Sequence, residues 1–354
     1  MPLHPVFGHE ELRERIATSL AARTLPPALL LVGPPGVGKQ RLGLWLAQAI
    51  VCEQGPGVPC GTCHHCRLAL QLGHPDIHWF FPIPRPKADE SKQVEEAEET
   101  LATAIAARRE SPLYQRPDGM AGLFLPLVRA LHRRAQMRPA MGRAKVFLVG
   151  DAERLVPQAS SQEAANAMLK VLEEPPPDTY FVLTAAEPSA LLPTIRSRLV
   201  QLRVGRLKPP AIAAFLTGHA GIPERDARRR AELAAGCIGA ALALSGGGED
   251  DQSAAQRLLK AASSPVARHA YAFGVKPFGG RGDFTGTLDA AANVLRDELA
   301  RRLQGSQPAD VDGPTTRLLA QVRELERARR LAQGNVNPQL IVADLLRRLA
   351  EADG

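Results

Sequence analysis

Apolar positions recur at helical spacing in the opening segment "GHEELRERIATSLAART", through Leu12, Ile16 and Leu20, and predict an amphipathic helix. The run "PALLLVG" that follows has no polar break and reads as a buried strand. A glycine-rich turn comes next, then a second helical pattern through "QRLGLWLAQAIVC". Two later strand-like runs, "AKVFLVGD" (Ala144 to Asp151) and "TYFVLTA" (Thr179 to Ala185), each adjoin amphipathic helix. Alternation of this kind predicts a parallel sheet flanked by helices.

The stretch "PIPRPKADESKQVEEAEETLATAIAARRESPLYQRPDG" opens with prolines, turns acidic and ends on a turn signal at Pro117 to Gly119. Its middle predicts a solvated helix, with acids early and Arg108 and Arg109 late, in keeping with the helix dipole. The whole stretch reads as a surface insertion. Beyond "RLKPP" (Arg206 to Pro210) the strand-like runs stop and short helices follow, up to a glycine-rich, acidic linker near Ser245 to Ser253. From there to Gly354 the pattern is helical, broken by a loop at "QGSQPADVDGP". Three domains are expected: an α/β unit over 1–206, a small helical unit over 207–248 and a helical unit over 249–354. No repeat is visible.

Composition narrows the class. With 45% hydrophobic but only 4% aromatic residues, the chain should hold more helix than sheet. A net charge of +7 suits work near an anionic polymer, although arginine-rich chains without such a partner share it. No apolar run reaches the roughly 18 to 20 residues of a membrane span. "MPLHPVFGHEEL" is no signal peptide, so a cytoplasmic setting is expected.

The glycine-rich turn is "GPPGVGKQ", Gly33 to Gln40, in a strand, loop, helix context. Backbone amides around Gly33, Gly36 and Gly38 would cradle phosphates, and Lys39 would reach the terminal ones. A hydrolysing loop continues with Ser or Thr, whose hydroxyl holds magnesium. Gln40 stands there instead. A second strand should deliver an acid for magnesium and one to orient water, yet "KVFLVGD" offers Gly150 and Asp151. Two departures at one centre point to a degenerate nucleotide site, taking ATP or ADP with little turnover.

Four of the five cysteines, Cys52, Cys60, Cys63 and Cys66, follow C-x7-C-x2-C-x2-C. In a reducing compartment this spacing predicts a structural zinc site, since four thiolates close a tetrahedron with no open position. His64, His65 and His74 lie nearby as surface or hydrogen-bonded residues, and Cys237 reads as a small core residue. In "LLPTIRSRLV", Arg196 and Arg198 flank Ser197, as ion-pair partners or as a guanidinium offered to a neighbour's nucleotide.

Taken together, "VFGHEEL", "GPPGVGK", the four cysteines, "GHPD" (Gly73 to Asp76), "AANAMLKVLEEPPPDTYFVL" (Ala164 to Leu183) and "IRSR" resemble the clamp-loader branch of the AAA+ proteins. The resemblance covers most of residues 6 to 200. It implies an AAA+ P-loop NTPase-like parallel-sheet domain with an inserted zinc module at 52–66, then a helical lid domain, then an all-α collar domain joining subunits into a ring. It also implies that Arg198, matching the arginine of a Ser-Arg-Cys motif, serves as an arginine finger in trans, with Leu199 in place of the cysteine. The phosphate-sensing Thr of the family has no secure match, because Thr184 is offset by one and Ala185 fills the position. Implied partners are the motor subunits (gamma/tau), the clamp-opening delta subunit, and the sliding clamp and primed DNA through the assembly.

The chain is then expected to be a non-hydrolysing part of a DNA polymerase holoenzyme, without polymerase activity of its own. An ATP-hydrolysing motor subunit of the same branch is the nearest alternative, and Gln40, Gly150 and Asp151 speak against it. A stand-alone zinc-containing nucleic-acid-binding protein would leave the phosphate loop and Arg198 unexplained.

Overall fold

The computed structural model of the chain describes residues 3–110, 121–155, 162–244, 249–262, 264–273, 281–303, 313–332 and 337–353. In chain order the elements are α1 (Glu10–Ala21), β1 (Ala28–Val32), α2 (Lys39–Val51), α3 (His64–Leu70), β2 (Ile77–Phe80), β3 (Ile83–Pro84) and α4 (Gln93–Glu110). Next come β4 (Ala121–Gly122), α5 (Leu125–Ala135), β5 (Lys145–Val149), α6 (Glu163–Glu173), β6 (Thr179–Ala185), α7 (Pro193–Arg196) and β7 (Val200–Arg203). The remainder is helical: α8 (Pro209–Ala220), α9 (Glu224–Leu233), α10 (Ile238–Ala243), α11 (Glu249–Ala261), α12 (Pro265–Phe273), α13 (Arg281–Leu303), α14 (Gly313–Ala332) and α15 (Pro338–Asp353). No helix among the described residues is long and apolar enough to cross a membrane.

Five strands pair in parallel in the order β2-β5-β6-β1-β7, and β3 with β4 forms a separate antiparallel pair. Strand β1 lies inside the sheet between β6 and β7, with Leu29, Leu30 and Leu31 almost fully buried. An unbroken apolar run is what a strand covered on both faces requires. One row of rings crosses three strands in register: His78 stacks on Phe147 at 4.7 Å and Phe147 on Phe181 at 5.3 Å. The expected strands at Ala144 to Asp151 and Thr179 to Ala185 are β5 and β6.

The edge strands carried no comparable signal. β7 is "VQLR" and mostly exposed, so it lacks an apolar run, and β2 is only four residues long. Their pairing comes from the backbone of β1 and β5, which supplies the hydrogen-bonding partners.

The insertion holds the helix expected of it, but α4 is not simply solvated. Ala97 and Leu101 are buried, and α4 packs on α5 and β3. Arg108 lies over the rings of Trp79 at 4.4 Å and Phe81 at 3.6 Å. Glu98 pairs with Arg134 at 3.0 Å and also with Arg133 on α5. The physical reason is that an edge strand bearing Trp79 needs cover, and α4 provides it. The expected turn at Pro117 to Gly119, the linker residues 245–248 and the loop residues 304–312 lie outside the described residues. Glu249 to Ser253, read as linker, belong to α11 instead.

A buried carboxylate fixes the loop that enters β5. Asp76 is 1% exposed and accepts the backbone N–H groups of Ala140 at 2.5 Å, Met141 at 2.9 Å and Gly142 at 2.6 Å. Burial pushes its carboxyl up, but the three donors outweigh burial and hold it below the usual carboxylate range.

Two compact units divide the chain. One is built on the sheet and includes the described residues of Ala121–Arg228 and Ala235–Gly239; the other takes Arg229–Ala234 and the described residues from Ala240 onward. The second has its own core, in which Phe284, Leu288, Leu325, Leu345 and Leu346 are buried.

His78 gives the fold a predictable acid response. Burial, with Arg134 also nearby, pushes its imidazole down to about 4 from the ordinary 6.5. The unfolded chain therefore takes up a proton between these values that the folded chain refuses. The contribution is fully present above about pH 6.5 and is lost as pH falls towards 4, on the order of 3 kcal/mol. Urea unfolding across that window should show His78→Phe losing less stability than the parent; equal slopes would contradict the assignment.

Candidate nucleotide and metal sites

The phosphate loop sits where β1 ends and α2 begins, so its geometry is set by a buried strand. Gly33 follows β1 closely against β7: a Cβ there would stand 2.4 Å from the Val204 carbonyl oxygen. Gly38 has φ of 102°, a backbone region that side-chain-bearing residues rarely adopt. The backbone carbonyl of Gly36 accepts the N–H of Gly239 at 2.8 Å, so one side of the loop is covered by another stretch of main chain.

Lys39 opens α2 and is only 6% exposed. Its Nζ donates to the carbonyls of Gly33 at 2.8 Å and Pro34 at 3.0 Å. Burial lowers its pKa, while Asp151, Glu153 and Cys237 pull the other way. The ammonium is thus folded back on its own loop, where an anion could compete for it. On the N-terminal side, His9 Nε2 lies 3.0 Å from the Val37 carbonyl, and Arg41 Nε donates to the His4 carbonyl at 2.7 Å.

Gln40 is half-buried and packs toward β2. Its Oε1 accepts the indole N–H of Trp79 on β2 at 3.1 Å. Asp151 follows β5 in the left-handed region, at φ of 50°, and its N–H donates to the hydroxyl of Thr184 at 3.0 Å. Thr184 is fully buried in that bond. Glu153, not singled out in the sequence, stands close to Lys39. Its Oε1 accepts the Ala186 N–H at 3.1 Å, its Oε2 is buried without a partner, and burial raises its pKa. Nothing in the motif spacing pointed to Trp79, Glu153 or Gly239, because each reaches the loop from a distant part of the chain.

The four cysteines converge. Their Sγ atoms all lie within 4.8 Å of one another, the one such cluster of metal-binding side chains among the described residues. Cys60 and Cys66 Sγ are 3.9 Å apart, close to the roughly 3.8 Å edge of a tetrahedron with Zn–S bonds of about 2.3 Å. Backbone N–H groups point at the sulfurs: Cys63 to Cys60 at 3.3 Å and Cys66 to Cys63 at 3.3 Å. The Cys63 N–H, with the N–H and hydroxyl of Thr62, holds the Cys60 thiol down to about 6. Burial pushes Cys52 and Cys66 up. The set fits a soft, tetrahedral cation whose charge would keep all four as thiolates.

His65 Nδ1 lies 2.8 Å from His74 Nε2, and His74 Nδ1 accepts the Asp76 N–H at 3.0 Å, so these histidines are committed to each other. Cys237 is a buried member of the main core, as its sequence context suggested.

Arg198 follows α7. One guanidinium nitrogen donates to the Thr194 carbonyl at 2.8 Å and the other pairs with Glu173, the last residue of α6, at 2.6 Å. Its side chain remains 35% exposed. The contacts of the phosphate loop, the cysteine cluster and Arg198 are made with separate partners.

A glycine-rich loop between the interior strand β1 and its helix α2, in a parallel sheet ordered 2-5-6-1-7, defines an α/β protein of the AAA+ P-loop kind. The family model described as DNA polymerase III, delta subunit, matches residues 8–208, and the chain belongs to that family. It is 28% identical over 353 residues to DNA polymerase III subunit delta' of Escherichia coli (strain K12), spanning 95% of this chain and 92% of that protein. The delta' subunit of Pseudomonas aeruginosa is 31% identical over 222 residues, 62% of this chain and 52% of the relative. The gamma/tau subunit of Mycobacterium tuberculosis (strain ATCC 25618 / H37Rv) is 29% identical over 212 residues, 60% of this chain and 30% of the relative.

Cysteine replacement tests the metal centre. The purified chain is expected to carry about one zinc, and Cys63→Ser to lose it together with several degrees of melting temperature. A metal-free parent of unchanged stability would remove the site.

Proposed function

We propose that this chain serves as the delta-prime subunit of a bacterial DNA polymerase III clamp loader. Its work there is to help open the ring-shaped sliding clamp and place it on primed DNA. The observation that carries the reading is the relationship to a delta' subunit over nearly the full length of both chains. Charge supports it: a chain of net charge +7 suits an assembly that handles DNA in the cytoplasm, at the nucleoid.

In this reading the sheet domain is an ATPase fold kept as a fixed ring member. Amides of Gly33 to Gly38 and the Lys39 ammonium would hold the phosphates of ATP or ADP, while Gln40 and Asp151 leave hydrolysis unsupported. Zinc in the four-cysteine cluster staples the segment between α2 and α3. Residues 207–248 act as the lid, and residues 249–354 as the collar that joins motor (gamma/tau) and clamp-opening delta subunits.

Arg198 completes a neighbour's active site. A guanidinium fixed by Thr194 and Glu173, yet exposed, is pre-oriented at little further entropic cost and keeps donors for a transferring phosphoryl group. Leu199, beside it, is buried and supports the turn through packing, so the finger does not depend on a cysteine there.

Replacing Arg198 with Ala in the reconstituted loader should lower ATP turnover at the neighbouring site by roughly 10³-fold or more, and total turnover by that site's share, without dissolving the assembly. Unchanged turnover would remove the finger assignment. The chain alone should show no turnover above a Lys39→Ala control, and activity above that control would favour the motor reading. Intact-mass measurement of the complex purified from its host should find one copy among motor and clamp-opening subunits.

A further inference from the structure

Magnesium is the ion that a phosphate loop of this kind implies, and the residues present do not fit it. A magnesium ion asks for hard oxygen ligands in near-ideal octahedral geometry. The loop position that normally gives a hydroxyl has an amide, and the strand position that normally gives a carboxylate has no side chain. The two departures touch. A Cβ built on Gly150 would stand 2.5 Å from Gln40 Oε1, 2.6 Å from its Cδ and 2.7 Å from its Nε2. The carboxamide of Gln40 therefore fills the room in which an acid at position 150 would begin.

Backbone strain is not what keeps residue 150 a glycine. Its φ is outside the left-handed region, and its N–H makes an ordinary bond to the Phe80 carbonyl at 2.7 Å. An L side chain would suit that backbone, and the three atoms nearest to its Cβ all belong to Gln40. A free glutamine could swing aside, but this one is tied: its Oε1 takes the indole N–H of Trp79, a residue 9% exposed on β2. Moving Gln40 would strip a buried donor of its partner.

We propose that Gln40, Gly150 and Trp79 form an interlock that bars a divalent cation from the phosphate loop, so that any nucleotide the loop takes is held metal-free by the loop amides and Lys39. The proposal rests on the phosphate-loop reading above and adds to it. The site does not merely lack ligands for magnesium: each departure fixes the other, and restoring one ligand alone cannot restore the ion. Binding then depends on Lys39 for charge, and magnesium in solution competes for the nucleotide instead of assisting it.

Four full-length chains test this: the parent, Gln40→Thr, Gly150→Asp and the double variant, each with ADP in the presence of magnesium or of EDTA. Melting temperature is read alongside affinity. Gly150→Asp should lower the melting temperature by several degrees in the parent and by clearly less in the Gln40→Thr background. Magnesium should leave ADP affinity unimproved in the parent and in both single variants, and raise it several-fold in the double variant.

A parent whose affinity rises several-fold with magnesium would overturn the proposal, as would additive losses of melting temperature. ADP binding by none of the four, with the coupling in melting temperature intact, would instead overturn the phosphate-loop reading and metal exclusion with it. ADP binding that survives Lys39→Ala unchanged would do the same.

Discussion

Burial of β1 on both faces and along both edges is the constraint on which the glycine-rich loop and its surroundings depend. A strand paired with β6 on one side and β7 on the other has no freedom in register, so the residue after it must leave the sheet at one place. Gly33 leaves it against the Val204 carbonyl, the loop turns through glycines of positive φ, and Lys39 starts α2 already buried. The loop has its shape because the sheet is packed. Side chains on the loop, such as Gln40, can therefore vary while the apolar contacts of Leu29, Leu30 and Leu31 stay unaltered.

Satisfaction of buried polar groups explains much of what surrounds the loop. Lys39 finds two carbonyls, Asp76 three backbone donors, Thr184 the N–H of Asp151, and Gln40 the indole of Trp79. Each would cost more left alone than its bond contributes, so each ties together segments remote in sequence. Glu153 departs from this pattern, with one buried carboxylate oxygen unpaired close to the Lys39 ammonium.

The cysteine cluster and Arg198 follow different physics. The four sulfurs gather as short loops aim backbone N–H groups at them, and a tetrahedral cation would offset the repulsion of four thiolates. Arg198 stays near the surface with Glu173 as counterion, an exposed pair that adds little to stability. Its orientation is set locally: Pro193 starts the short α7, and the guanidinium returns to the carbonyl of Thr194.

How much of this was legible depended on the range of the forces involved. The sequence alone determined the central strands, the helices beside them, the phosphate loop and the four-cysteine cluster, because apolar runs and close spacing are local records of burial and of ligand geometry. It also identified Gln40 and Gly150 as separate departures. Tertiary structure decided what those patterns could not encode. The polar edge strand β7 pairs through its backbone, and α4 covers Trp79 instead of standing in water. Gln40 lies in the space beside Gly150 because β2, β5 and α2 meet there, and contacts between residues 39 and 110 positions apart leave no periodicity for a sequence to show.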